Sequence, residues 1–395
     1  MRRIAPAALA LAGLAACSGP VETSLPTPAR VPAGSIAPSP PATTPAAESA
    51  TPVPETHEFT VVEHESYVEP WALAFLPSID TMAVTERGGA LKLRGPDGSV
   101  REVSGVPEVA AAGQGGLGDI APGPTFADDG TVYLSWVERR GGARGAVVGR
   151  GRLDVEAATL AGVETIWRQA PQVGGEGHFS HRLLIQGDHL FVSSGDRQKF
   201  GVAQAMDGNL GKILRLTLDG DPAPGNPFAS DGGVAAEFWS IGHRNPLGLA
   251  VDADGRLWAS EMGPQGGDEL NLIEPGLNYG WPAASNGSHY GGGEIPDHAD
   301  GDGFEPPAVF WTPSISPGSL MIYTGNLFPA WTGDAFLGAL SGEALVRVDL
   351  DGRSATPAEA WPMGSRIRAV AEAPDGSIWL LEDGDGGKLL ELRPA

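Results

Sequence analysis

One pattern recurs along this chain and restricts its fold more than any other feature. A short apolar run meets a turn, in four copies at or next to Asp and Gly, and a second apolar run carrying an aromatic residue or Met follows. Copies stand at residues 73–77 with 82–84, at 119–121 through Asp129-Gly130 to 132–134, and at 183–185 through Gly187-Asp188 to 190–192. Two more run from 249–251 through Asp254-Gly255 to 257–259, and from 370–372 through Asp375-Gly376 to 378–380. Asp-Gly between alternating apolar runs is a strong hairpin signal, because the turn needs positive φ and Gly supplies it. A degenerate sixth copy is read at 335–338 with 345–348. The copies recur every 40 to 80 residues or so, enough for one four-stranded unit plus loops, and no long helix-period stripe intervenes. With 57 Gly for tight turns, the chain is expected to be all-β: a six-bladed β-propeller of four-stranded antiparallel blades. Five or seven blades remain compatible with this count.

The N-terminal part follows other rules. Met1-Arg2-Arg3 is basic, an Ala/Leu run follows, and Leu14-Ala15-Ala16-Cys17 closes residues 1–17 as a lipoprotein signal peptide. Cys17 is the only cysteine, so no disulfide or Cys metal site can form within the chain, and lipidation is its expected role. Residues 18–56 are Pro, Ala, Ser and Thr with few large apolar side chains, a composition that cannot repay the entropy of ordering and reads as a tether. Residues 57–395 form the propeller domain. The chain is therefore expected to be exported and lipid-anchored in a bacterial envelope, with Ser18 favouring the outer membrane. A formal net charge of -23 excludes nucleic acid as a natural partner. It also means that an anionic ligand would need a local cluster of Arg.

Three groups of polar residues fall at strand ends. Gly113-Gln114-Gly115-Gly116-Leu117-Gly118-Asp119 lets backbone approach a ligand closely and offers the Gln114 amide. Glu176-Gly177-His178-Phe179-Ser180-His181-Arg182 precedes a hairpin that returns Ser194-Gly195-Asp196-Arg197 beside it, a base with an orienting carboxylate. His181 and His243 fit a structural role equally well. Arg244, Arg366 and Arg368 make a cationic set; spaced two apart on a strand, Arg366 and Arg368 share a face and suit a carboxylate clamp. For a metal, Gly-rich carbonyls with Asp268 and Glu269 suit calcium better than a transition metal. The irregular run 283–305, rich in Gly, Asp and His, is long enough to be functional.

These segments in this order resemble the soluble quinoprotein sugar dehydrogenases, in the aldose sugar dehydrogenase branch of the glucose/sorbosone dehydrogenase family. The likeness begins at Glu69-Pro70-Trp71-Ala72-Leu73-Ala74-Phe75 and Val84-Thr85-Glu86-Arg87. It includes Gly242-His243-Arg244-Asn245-Pro246, Glu261-Met262-Gly263-Pro264 and Asn278-Tyr279-Gly280-Trp281-Pro282, and ends near Leu392. The resemblance implies a propeller with pyrroloquinoline quinone (PQQ) on its axis and calcium bridging cofactor and protein. It implies that His178 takes the proton of an aldose's anomeric hydroxyl, that Asp196 supports His178, and that Gln114 stands near substrate and quinone. Arg244 and Asn245 would contact the quinone oxygens, Arg366 and Arg368 its carboxylates, and Trp311 would flank it. Gly263 and Pro264 would lend carbonyls to the cofactor calcium, and Glu269, Tyr279 and Tyr290 would hold a second calcium. Ser341 departs from the family, which commonly has a cation there, and His181 replaces a usual small residue and is expected to narrow the sugar pocket.

PQQ-dependent oxidation of aldose sugars at the anomeric carbon to lactones is thus the expected activity, with a monomer as one compatible oligomeric state. No Cys-x-x-Cys-His haem motif occurs, so electrons would pass to a separate acceptor. A propeller without cofactor that binds glycans or envelope proteins is the alternative, with Ser341 in its favour. A calcium-dependent lactonase would instead want carboxylates and Asn converging on an axial metal.

Overall fold

The computed structural model describes residues 59–395; Cys17 and the run 18–56 lie outside the described residues. Six four-stranded antiparallel sheets follow one another along the chain, the six blades of a β-propeller. Blade 1 runs from Pro70–Phe75 to Val100–Glu102, blade 2 from Leu117–Pro122 to Thr159–Arg168, and blade 3 from Ser180–Gln186 to Phe238–Ile241. Blade 4 runs from Pro246–Val251 to Val309–Trp311 and blade 5 from Met321–Ile322 to Ser354–Pro362. Blade 6 takes three strands from Ile367–Glu372, Ile378–Glu382 and Asp385–Pro394, and its outer strand is Phe59–Val68 from the other end of the described chain. That pairing closes the ring and leaves no blade open at the joint.

Five of the recurring motifs are the first hairpin of their blades. The sixth is displaced by one strand. Residues 335–339 and 344–351 are the second and third strands of blade 5, whose first strand is only Met321–Ile322. Two residues cannot show an alternation, so the inner strand left no periodic trace.

Apolar layers between neighbouring blades supply the core. Phe59, Trp331, Phe336, Trp361, Ile378 and Leu390 pack blade 6 against blade 5, with the Phe328 and Trp331 rings stacked 4.3 Å apart. Equivalent layers hold blades 1 and 2, 2 and 3, and 4 and 5.

One regularity positions the site. In blades 1, 2, 3, 4 and 6 the first hairpin carries a register shift at the start of its inner strand. Pairing steps from Pro70↔Glu86 to Ala72↔Thr85, from Pro246↔Glu261 to Gly248↔Ser260, and from Ile367↔Glu382 to Ala369↔Leu381. Trp71, Leu247 and Arg368 are the extra residues, and a bulge re-aims such side chains. All three line a cavity at this end of the propeller.

Candidate active site

The cavity has a volume of about 350 Å³. Its walls come from the beginnings of inner strands (Trp71, Ser180, His181, Leu247, Arg368) and the ends of second strands (Arg87, Met262, Asp383), which antiparallel pairing brings to the same face. Gln114, Asn245 and Arg366 complete the expected residues found there.

His178 and Asp196 meet as the hairpin reading required: Nδ1 of His178 lies 2.7 Å from Asp196 Oδ1. The same carboxylate accepts from the Gln198 N–H at 2.7 Å and from Trp281 Nε1 at 2.8 Å. With only carboxylate oxygen opposite it, Nδ1 is the nitrogen that donates, which in the neutral ring puts the lone pair on Nε2. The His178 N–H donates to Gln114 Oε1 at 2.7 Å, fixing the third expected member to the pair. His178, Ser180, His181, Arg197 and Gln198 all have φ between 50° and 58°. Left-handed backbone at five non-glycine residues in one hairpin is costly, and such strain clusters at functional sites. His178 itself borders the cavity through Phe179 and Gln114 rather than lining it.

Asn245 joins the same cluster, its Oδ1 accepting from Ser180 Oγ at 3.0 Å. The backbone N–H groups of Arg244 and Asn245 both donate to the Glu261 carboxylate, whose other oxygen lies 3.0 Å from His243 Nδ1. His243 is fully buried and stacks on Tyr279, so its role is structural. The Arg244 guanidinium donates to the Met262 carbonyl at 2.9 Å and lies over the rings of Trp281 and Tyr290.

The Arg366/Arg368 clamp is present, but a carboxylate absent from the sequence reading organises it. Arg366 Nε donates to Asp383 Oδ2 at 2.9 Å and Arg368 Nε to Oδ1 at 2.8 Å. Burial acts to raise the Asp383 carboxyl, yet the Arg368 charge and the bonds from both guanidinium groups hold it below its usual range. Arg368 is pushed down by burial first and by Arg366 and Arg87 as well, despite Asp383. The expected convergence is thus produced by the bulge at Arg368 rather than by simple alternation.

Beneath the cavity, Trp71 lies between the His181 ring, 4.9 Å away and nearly parallel, and the Arg182 guanidinium 3.9 Å from its centroid. Burial, with help from Arg182 and Arg197, lowers His181 to about 3, so this imidazole is neutral. His181 lines the cavity, as its expected narrowing role requires.

Behind Arg244 a second space of about 10 Å³ is lined by Glu261, Gly263, Gly267, Glu269 and Tyr279. Burial and the adjacent Glu261 raise Glu269 to about 8, and the Asn271 Oδ1 nearby is buried without a partner. Such a space admits one ion or water, and its oxygens suit a hard cation. Among the described residues no three His, Cys, Asp or Glu side chains converge as a metal cluster, so backbone oxygens would have to contribute. Asp268 does not take part in the way expected: its two oxygens accept from the Gly263 and Ser316 N–H groups. Pro264 is buried but lines neither space. Tyr279 lines this space, but its hydroxyl donates to the Leu272 carbonyl at 2.6 Å and accepts from the Glu274 N–H at 2.8 Å. Tyr290 is not beside Glu269; it is 73% exposed, with its hydroxyl 3.4 Å from Arg244 Nη2.

Trp311 lies on the outer strand of blade 4, paired with Asp268, and does not line the cavity. The aromatic side chains that line the cavity are Trp71 and Phe179, and Trp281 lines the smaller space behind Arg244 and bonds Asp196; all three lie inside quoted motifs but without a periodic signal of their own. Ser341 bonds Ser316 Oγ at 2.8 Å, and Ser316 lines the cavity.

The model of the family described as "Glucose / Sorbosone dehydrogenase" matches residues 67–391. The chain is 39% identical over 339 residues to the aldose sugar dehydrogenase YliI of Escherichia coli, covering 82% of this chain and 90% of that protein. The quinoprotein glucose dehydrogenase B of Acinetobacter calcoaceticus is 28% identical, covering 80% of this chain and 84% of that one. Among solved structures, the soluble aldose sugar dehydrogenase of E. coli in its apo form superposes with a TM-score of 0.82 at 36% identity, over 85% of this chain and 100% of that one. The PQQ-bound aldose sugar dehydrogenase of Streptomyces coelicolor does so at 0.72 and 32%, over 85% and 98%. On the matched span, the six blades and this identity, the chain belongs to the glucose/sorbosone dehydrogenase family, in the branch of the soluble aldose sugar dehydrogenases.

Proposed function

We propose that this protein oxidises aldose sugars at the anomeric carbon to lactones, using PQQ and calcium, and passes the electrons to a separate acceptor. The observation that carries the reading is the oriented His178: Asp196 holds the Nδ1 proton, so Nε2 is the free base for an anomeric hydroxyl proton. Three donors to Asp196 keep it a fixed acceptor while His178 becomes cationic.

When bound, PQQ supplies the two-electron hydride acceptor that no side chain can provide. The cavity suits a planar polyacid. Arg87, Arg366 and Arg368 gather on one side of it in a strongly acidic chain, with Asp383 and Glu69 as their counter-charges. Arg366 and Arg368 would hold carboxylates, and Arg244 and Asn245 stand beside the site to donate where negative charge develops. Trp71, Leu247 and Met262 give the apolar floor that excludes water. Glu269, with the Gly263 and Gly267 backbone, would hold a cation bracing Arg244 and Asn245 from behind through Glu261.

The signal peptide, lipidation at Cys17 and the tether belong to the same reading: an exported enzyme held to the cell envelope. The test is reconstitution of purified protein with PQQ and calcium, followed by quinone absorbance and by dye reduction with glucose. Absence of both a spectral change and dye reduction with any aldose would overturn the reading.

A further inference from the structure

The His181 ring occupies a space made for it, and its hydrogen bonds fix its tautomer. A Cβ on Gly118 would stand 2.0 Å from His181 Cε1 and 2.2 Å from Nδ1, so glycine there is what admits the ring. Ser135 Oγ lies 2.7 Å from the His181 carbonyl oxygen and 2.8 Å from Nδ1, and it accepts from the Asp119 N–H at 2.8 Å. A carbonyl oxygen can only accept, so the single hydroxyl proton of Ser135 goes to it. Toward Nδ1 the hydroxyl therefore presents a lone pair, and Nδ1 is the donor. Burial, with Arg182 and Arg197 nearby, keeps the ring neutral. The remaining lone pair is then on Nε2. Among the described residues no donor reaches Nε2, and this atom is not one of those sealed inside the protein. Since His181 lines the cavity, the free acceptor opens into it.

That acceptor stands among donors. Gln114 Oε1 accepts from the His178 N–H and Asn245 Oδ1 from Ser180 Oγ, so what each amide has left to offer is N–H. Glu69 and Asp383 are occupied by Arg87, Arg366 and Arg368. A ligand suited to this cavity presents many acceptors and a donor at one place. PQQ has that pattern: its ionised carboxylates, quinone oxygens and pyridine nitrogen accept, and its pyrrole N–H donates. We infer that Nε2 of His181 is a cofactor contact, accepting a hydrogen bond from the pyrrole N–H of PQQ at the floor of the cavity. This rests on the proposed use of PQQ and adds to it a residue that the cationic wall and the base dyad do not include.

The test titrates PQQ against purified apo-protein, wild type and His181→Phe, by quinone absorbance. Phenylalanine keeps a ring on Trp71 and leaves Ser135 bonded to the backbone carbonyl and to the Asp119 N–H, but it offers no acceptor. Affinity is expected to fall about tenfold, the worth of a ligand donor left unpaired in a buried site. His181→Gln, whose amide oxygen can stand where Nε2 does, should recover most of that loss. Nitrogen NMR of histidine-labelled protein gives a second readout, with the His181 signals identified by their absence in His181→Gln. In the apo-protein Nδ1 should be protonated and Nε2 pyridine-like, and PQQ should move Nε2 toward its hydrogen-bonded position. The reverse tautomer, an Nε2 unmoved by bound PQQ, or equal PQQ affinity in wild type and His181→Phe overturns the contact. A raised glucose KM in His181→Phe with PQQ affinity unchanged also overturns it and assigns Nε2 to a sugar hydroxyl. If PQQ binds neither protein, the cofactor reading itself has failed and the contact falls with it.

Discussion

Trp281 reaches from the loop after the third strand of blade 4 to donate its indole N–H to Asp196 Oδ2 at 2.8 Å, so the carboxylate that orients the base is held by two blades at once. Trp281→Phe keeps the ring and deletes the donor. Leaving a buried carboxylate oxygen unpaired costs about 1–3 kcal/mol. The expected outcome is a lower melting temperature and a several-fold lower kcat with sugar KM nearly constant. An unaltered kcat would show that the bonds from His178 and Gln198 suffice to place Asp196.

His178→Ala removes the base but no group of the cationic wall. Turnover should fall by about 10²–10⁴, the usual worth of a positioned general base, while PQQ still binds to the apo-protein by absorbance titration. Loss of binding with loss of turnover would assign His178 to the cofactor instead. Asp196→Asn should fall between the two, because the amide can accept at one position only and invites the wrong imidazole tautomer.

Much of this arrangement is legible in residues and some is not, and the division is physical. Hairpins announce themselves through Asp-Gly and apolar alternation, which is why five inner hairpins fall where expected. The two-residue inner strand of blade 5 has no alternation to show. His178 and Asp196 are recoverable because one hairpin joins them locally. Asp383 is not: it follows a strand as an ordinary acid, and only the pairing Ile367↔Glu382 places it against both arginines. The bulges that turn Trp71, Leu247 and Arg368 toward the cavity leave no mark in composition or period, since a single extra residue is invisible without the partner strand. Trp311 shows the converse, a residue type suited to the site that lies on the outer strand of its blade and does not line the cavity.

The clamp divides into two unequal halves. The Arg366 side chain is 47% exposed and that of Arg368 15%. Arg366→Ala should weaken PQQ by roughly 10- to 100-fold, as expected for one lost charge-assisted bond, with little effect on folding. Arg368→Ala removes the buried partner of Asp383 and should also destabilise the apo-protein by several kcal/mol. Fluorescence-monitored denaturation beside a quinone titration separates the two. Equal affinity in Arg366→Ala would dismiss it as a ligand contact.

Glu269 supplies a cation test that needs no turnover. A carboxyl raised to about 8 by burial and by Glu261 prefers its proton until a cation arrives. Calcium should therefore raise the melting temperature of the apo-protein and release protons at pH 7. Glu269→Gln should abolish both effects while leaving the calcium-free protein no less stable. A calcium shift that survives in Glu269→Gln would locate the cation elsewhere.

His181 gives the opposite pH signature and a sharper one. Its folded pKa is about 3 because the ring is buried between Trp71 and the Ser135 side chain, with Arg182 and Arg197 adding repulsion. The unfolded chain takes up this proton near pH 6.5 and the folded one does not, so the unfolded state binds more protons between those values. Stability must then rise with pH across that window, and fall on acidification by about 1.4 kcal/mol per pH unit from this residue alone. Other groups titrate in the same range, so the measurement is a difference: denaturation free energies at several pH values from 6 down to 4 for wild type and His181→Gln. The variant loses ring stacking and is less stable at pH 7, but its curve should be flatter by close to one proton. Parallel curves would mean that His181 is protonated in the folded protein. In that event a cation would stand at the cavity floor beside Arg182, where the structure has a neutral ring.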